Sequence, residues 1–133
     1  MEVVLIDTDV VSYLLKHDTR AERFHPLLKN RVWTVSFITI AELERWALDR
    51  NWGAKTIAKL EAHLKRFVVH PFHRILCKEW AKVMHFSRAA GRPIAVADAW
   101  IAATALLYDI PLVTNNTADF TSIEGIRMIA DNN

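Results

Sequence analysis

The chain has 133 residues, 52% of them apolar and 24% charged. That is the composition of one globular domain spanning 1–133, and it excludes a disordered or fibrous chain. A lone cysteine, Cys77, excludes an intrachain disulfide; no basic leader opens the chain, and no uncharged run reaches the roughly 18–20 residues of a membrane span, so a cytoplasmic protein is expected. Net charge is only +2, yet residues 16–92 hold 16 Lys/Arg against 7 Asp/Glu, an excess that suits a polyanionic partner.

The first predicted element is Val3-Val4-Leu5-Ile6, an unbroken apolar run of the kind found in strands covered on both faces. Asp7-Thr8-Asp9 ends it and can cap a helix from Val10 to Lys16. A short polar helix is expected over Arg20 to Lys29, then a strand over Val32 to Ser36. Thr39 reads as the cap of a helix from Ile40 to Arg50, with Thr39-Ile40-Ala41-Glu42 matching a capping box. Asn51-Trp52-Gly53 breaks that helix, and Ile57, Leu60, Leu64 and Phe67 mark the apolar face of the next, Ala54 to Phe67.

Phe67 to His70 reads as a third strand stopped by Pro71. Ile75 to Ala90 reads as a helix ending at Gly91, with Pro93 beyond it. An alanine-rich helix follows over Ala97 to Tyr108. Leu112 to Thr114 and Arg127 to Ile129 read as the last two strands. Strands alternating with helices predict an α/β fold whose central sheet is mainly parallel, with helices on both faces and right-handed crossovers.

Such sheets bind ligands beyond the carboxyl ends of their strands. Asp7 and Asp9 fall just past the first strand, Glu42 follows the second, Asp98 opens the helix before the fourth, and Asp119 lies five residues beyond that strand. Each acid has a plain alternative: a helix cap for Asp7, Asp9 and Asp98, the capping box for Glu42, an aspartate turn for Asp119. Together they are harder to dismiss. Two carboxylates 4 Å apart repel by roughly 4 kcal/mol at an effective dielectric of 20, so some must hold protons or share a cation. Oxygen ligands without thiolate or imidazole favour Mg²⁺ or Mn²⁺, ions suited to activating water against a phosphoester.

Other constellations carry less. His70-Pro71-Phe72-His73 has a proline inside it and no glutamate partner, unlike a helical zinc site. Cys77, Trp33 and Trp100 read as core. Trp46 and Trp52 bracket the break at Gly53 among Arg45, Arg50 and Lys55, an aromatic–arginine surface that suits a protein interface.

Four segments resemble the motifs of PIN-domain ribonucleases, specifically the VapC-type toxins of toxin–antitoxin pairs: Val4 to Leu15, Thr39 to Leu43, Ala97 to Ala105 and Val113 to Phe120. The resemblance spans nearly the whole chain and implies a PIN-like three-layer sandwich with about 4–5 strands. It implies that Asp7, Glu42 and Asp98 bind the metal, that Asp119 is a fourth catalytic acid, and that Thr8 and Asn116 support them. It further implies a homodimer, Mg²⁺-dependent endonucleolytic cleavage of RNA with Mn²⁺ as a substitute, and a cognate antitoxin that blocks the pocket and is expected to contact Trp46 and Trp52. Candidate phosphate contacts for RNA are Arg45, Arg50, Lys55, Lys59, Arg88 and Arg92.

Two departures stand out. Asp9 replaces the family's usual asparagine, and Thr114-Asn115-Asn116 replaces its commoner threonine–arginine–asparagine, so a base often found beside the pocket is missing. The alternatives are the same fold with a degenerate pocket serving as a protein-binding module, and a haloacid-dehalogenase-like phosphatase using Asp7 as nucleophile and Asp9 as general acid.

Overall fold

A computed structural model describes residues 1–129. Four strands, β1 (Glu2–Ile6), β2 (Arg31–Ser36), β3 (Val68–His70) and β4 (Leu112–Val113), form a sheet of order β3-β2-β1-β4 in which every pairing is parallel. The helices are α1 (Thr8–Lys16), α2 (His25–Leu28), α3 (Phe37–Asp49), α4 (Ala54–Leu64), α5 (Arg74–Ala89) and α6 (Val96–Tyr108). The N-terminal strand thus lies inside the sheet, flanked by β2 and β4.

Strand alternation splits the core in two. Val4 and Ile6 face one way, with Val35 and Val113, onto Val10, Leu14, Leu43 and Leu60 of α1, α3 and α4. Leu5 and Leu112 face the other way, onto Leu76 and Val83 of α5 and the alanines of α6. With both faces covered from Val4 to Ile6, this part of β1 has to be apolar at every position, which is why its run does not alternate. No described helix is long and apolar enough to cross a membrane.

Several expectations need correction. The polar helix over Arg20–Lys29 is two pieces, a 3-10 turn at Thr19–Arg23 and α2, the second opening with Pro26 in its first turn. The expected last strand, Arg127–Ile129, pairs with β4 only through a single bridge between Leu112 and Met128, so the sheet has four strands among the described residues. The helix expected over Ala54–Phe67 stops at Leu64, and Phe67 packs into the core from the turn beyond it.

Helix α3 starts two residues before Thr39. Its cap is Ser36, whose hydroxyl accepts from the Ile38 N–H at 3.2 Å. Thr39 is therefore inside the helix and fully buried, and the capping box with Glu42 does not exist. Cys77 is half-buried rather than core. Trp33 and Trp100 are also half-buried and lie on the margins of the two core clusters. The Trp33 indole donates to the Leu28 carbonyl at 2.9 Å, and Trp100 stacks on Trp80 of α5 at 4.9 Å.

Candidate active site

The carboxyl end of β1 delivers Asp7, only 5% exposed, into the N-cap of α1. Both its oxygens are engaged: Oδ1 accepts from the Thr8 N–H at 2.7 Å, and Oδ2 accepts from the Thr114 hydroxyl at 2.7 Å. Asp7 is thus a cap, as the plain reading allowed, and also the buried end of a larger cluster. Burial, then the charge of Asp9 and more weakly that of Asp98, push its carboxyl up to about 8, although both hydrogen bonds pull the other way.

Glu42 is positioned by a relay. The Thr8 hydroxyl donates to Glu42 Oε1 at 2.8 Å, and since its only proton is spent there, Thr39 supplies the proton of the 2.8 Å Thr8–Thr39 bond. The threonine expected to cap the helix instead sets the rotamer of the acid three residues on. Asp9, half-buried, accepts from the Asn116 amide at 3.1 Å and from the Val10 N–H at 2.7 Å. Burial raises its carboxyl too, with the charge of Asp119 adding to the effect.

Asp98 lies in the first turn of α6 but is not its cap; Ala95 holds that position with no side-chain bond. The start of α6 is held from α5, where the Trp80 indole donates to the Val96 carbonyl at 3.4 Å and stacks on Trp100. Burial, then the charges of Asp119, Glu42 and Asp9, push Asp98 up to about 6. Asp119 ends a 3-10 turn, Thr117–Asp119, and is exposed across a cleft of about 520 Å³ that it shares with Asp98, Arg92 and Ser122. The structure therefore brings Asp7, Asp9, Glu42, Asp98 and Asp119 into one electrostatically connected group. None of them is paired with a lysine or arginine among the described residues.

Of the expected supporting residues, Thr8 donates to Glu42 and Asn116 to Asp9. Thr114 and Thr39 support the group as well and were missed, Thr39 because it imitates a cap and Thr114 because a threonine ending a strand has no signal of its own. Asn115, where the family's base is missing, donates to the Tyr13 hydroxyl at 3.3 Å.

The candidate RNA contacts scatter. Arg45 pairs with Asp49 at 3.2 Å, Arg50 lies 4.8 Å over the Trp46 ring, and Lys55 and Lys59 project from α4. Arg88 lies in the last turn of α5 and Arg92 just beyond it, and of the six only Arg92 lines the cleft with Asp98 and Asp119. Trp46 and Trp52 are half-buried against the first core cluster, beside the exposed Leu48 (81%) and Ile57 (40%).

As a donor set these acids fit a hard divalent cation: all are oxygen ligands, and burial, then mutual repulsion, raises the carboxyls of Asp7, Asp9 and Asp98. No three His, Cys, Asp or Glu side chains among the described residues are already gathered around one point, so the fit rests on the chemistry of the donors.

The PIN domain model matches residues 4–125, and the chain belongs to the PIN-domain family. Within that family it stands with the VapC proteins. Ribonuclease VapC1 of Haemophilus influenzae (strain R2866) is 33% identical over 128 residues, covering 94% of this chain and 95% of that protein. The solved VapBC-1 structure from nontypeable Haemophilus influenzae is 31% identical, with a TM-score of 0.80 and 96% of each chain covered. VapBC2 from Rickettsia felis, solved with a DNA fragment from its promoter, superposes with a TM-score of 0.83 over 96% of this chain and 97% of that one; at 24% identity it speaks for the fold alone.

Proposed function

We propose that this protein is the ribonuclease half of a toxin–antitoxin pair, hydrolysing RNA phosphodiester bonds endonucleolytically in the cytoplasm with Mg²⁺, or Mn²⁺ in its place. The observation that carries this reading is the uncompensated cluster itself: Asp7 and Asp98 are held well above the usual carboxylate range at the ligand-binding edge of the sheet. The VapC relatives supply the substrate class.

Asp7, Asp98 and Glu42 would hold the ion, which when bound supplies charge neutralisation and a water acidic enough to attack at neutral pH. The protein's own part is positional. Asp7 is immobilised at both oxygens, and Thr39 through Thr8 fixes Glu42. Asp98 sits where the N-terminal dipole of α6 favours negative charge. Asp119, exposed at the cleft that it lines with Asp98, would position that water or a second ion. Asn116 orients Asp9 behind it.

The antitoxin's apolar segment is expected over Leu48 and Ile57 beside Trp46 and Trp52, where large side chains stay exposed. A homodimer is the expected assembly. The phosphatase reading loses ground because Asp7, its required nucleophile, is buried and has both oxygens bound.

The test is incubation of purified, antitoxin-free protein with total cellular RNA in Mg²⁺, in Mn²⁺ and with chelator, beside Asp98→Asn. Discrete fragments that need metal, reduced at least about 100-fold in the variant, are expected. No cleavage by the folded protein with either ion would leave a binding module with a spent pocket.

A further inference from the structure

The cleft at Asp98 and Asp119 is lined by acids and small or apolar groups with one exception, Arg92. Its guanidinium takes part in no ion pair or side-chain hydrogen bond among the described residues. Its backbone, by contrast, is pinned. Helix α5 stops in a left-handed turn at Gly91 (φ 72°); the Gly91 N–H donates to the Arg88 carbonyl at 3.0 Å and the Arg92 N–H to the Ser87 carbonyl at 2.9 Å. These are the paired bonds of a Schellman stop. The Ser87 hydroxyl then accepts from the Ile94 N–H at 3.4 Å. Where the chain leaves α5 is thus fixed, and that exit aims Arg92 at the cleft.

Arg92 and Ser122 also line a second groove of about 410 Å³, between α5 and residues 122–124, so the two depressions share a wall. Phe86, 64% exposed, stands in that groove. Its lining holds two cations, Lys82 and Arg92, and two acids, Glu79 and Glu124, and Lys82 lies 3.8 Å from Glu79. A groove with no net charge and an open aromatic ring suits an uncharged, flat group more than a phosphate.

We infer that Arg92 is the positioning residue for the substrate's phosphate backbone at this cleft, and that the groove behind it takes the adjoining base against Phe86. Arg92 thereby supplies, from the end of α5, the positive charge absent from Thr114-Asn115-Asn116. This rests on the ribonuclease reading above. It also separates Arg92 from the other candidate phosphate contacts, none of which lines the cleft.

The experiment is binding of a fluorescein-labelled, mixed-sequence single-stranded RNA of about 12 nucleotides, followed by anisotropy over a salt series with Mg²⁺ present. The Asp98→Asn background keeps the RNA intact. Arg92→Gln is expected to weaken binding and to flatten the dependence of log K on log salt by about 0.7, one phosphate contact on a single strand. Arg92→Lys should restore the slope. Phe86→Ala should weaken binding about tenfold with the slope unchanged. Lys65→Gln, an exposed cation at the end of α4, should alter neither.

A wild-type slope in Arg92→Gln, full affinity in Phe86→Ala, or no RNA bound by the parent overturns the inference. So does a change of sedimentation coefficient in either variant with RNA binding intact, which would make the groove a protein contact. If the wild-type protein still cleaves RNA with metal while these variants behave as their parent, the inference alone falls. If it cleaves nothing, the ribonuclease reading falls with it.

Discussion

At the scale of single residues, the cluster is arranged against its own stability. Asp7 and Asp98 bind protons more tightly folded than unfolded. Their contribution is therefore intact below about pH 4 and is lost as pH rises through about 6 for Asp98 and about 8 for Asp7. Asp98→Asn removes one of these costs. In metal-free buffer the variant should melt roughly 2–5 °C above the wild type near pH 8, a gain tempered by the open side of the site, and the difference should vanish near pH 4. Equal melting shifts at both pH values would show that Asp98 carries no such penalty. Thr39 is the second case. Thr39→Val keeps the shape but strips the proton that Thr8 accepts, and should cost about 1–2 kcal/mol in denaturant unfolding while lowering cleavage; Thr39→Ser should recover both. Undiminished cleavage by Thr39→Val would remove the relay from the mechanism.

At the scale of elements, the sequence was readable wherever one physical signal dominated. The apolar run of β1, the glycine stop after α5 and the alanine-rich α6 each fell within a residue or two of their observed bounds. The acids could be placed at one edge of the sheet because Asp7 and Asp98 adjoin elements whose bounds were readable. Reading failed where two signals competed. At α3 both Ser36 and Thr39 could cap, and the better motif on paper, with Glu42 three residues on, lost because Ser36 is where β2 ends and the chain must turn. Ser36→Ala should therefore destabilise the fold by about 1 kcal/mol, measured by chemical denaturation, whereas Glu42→Gln should cost little stability and most of the activity; the reverse order would reinstate the capping box. The threonine relay and the cleft position of Arg92 were not legible for a different reason: both depend on how separate elements pack, and no local pattern encodes that.

At the scale of the whole molecule, two core layers share one thin sheet, and the site sits on its rim where α1, α3 and α6 converge. Protons and metal compete for the same oxygens there. Mg²⁺ should accordingly raise the melting temperature, and raise it more near pH 8 than near pH 5.5, since fewer protons must be displaced. A pH-independent shift would place the ion elsewhere. Asp98→Asn should shrink the effect at both values.

The strand order carries a consequence for timing. Asp7 is bound by Thr114, 107 positions away, and β1 lies between β2, the next strand made, and β4, the last strand of this sheet in chain order. A chain leaving the ribosome from its N-terminus must therefore carry β1 with one edge unpaired until Leu112–Val113 arrive. Copies cut short before Thr114 would lack the hydrogen bond that fixes Asp7, so the site is completed only once β4 and the residue after it have been made.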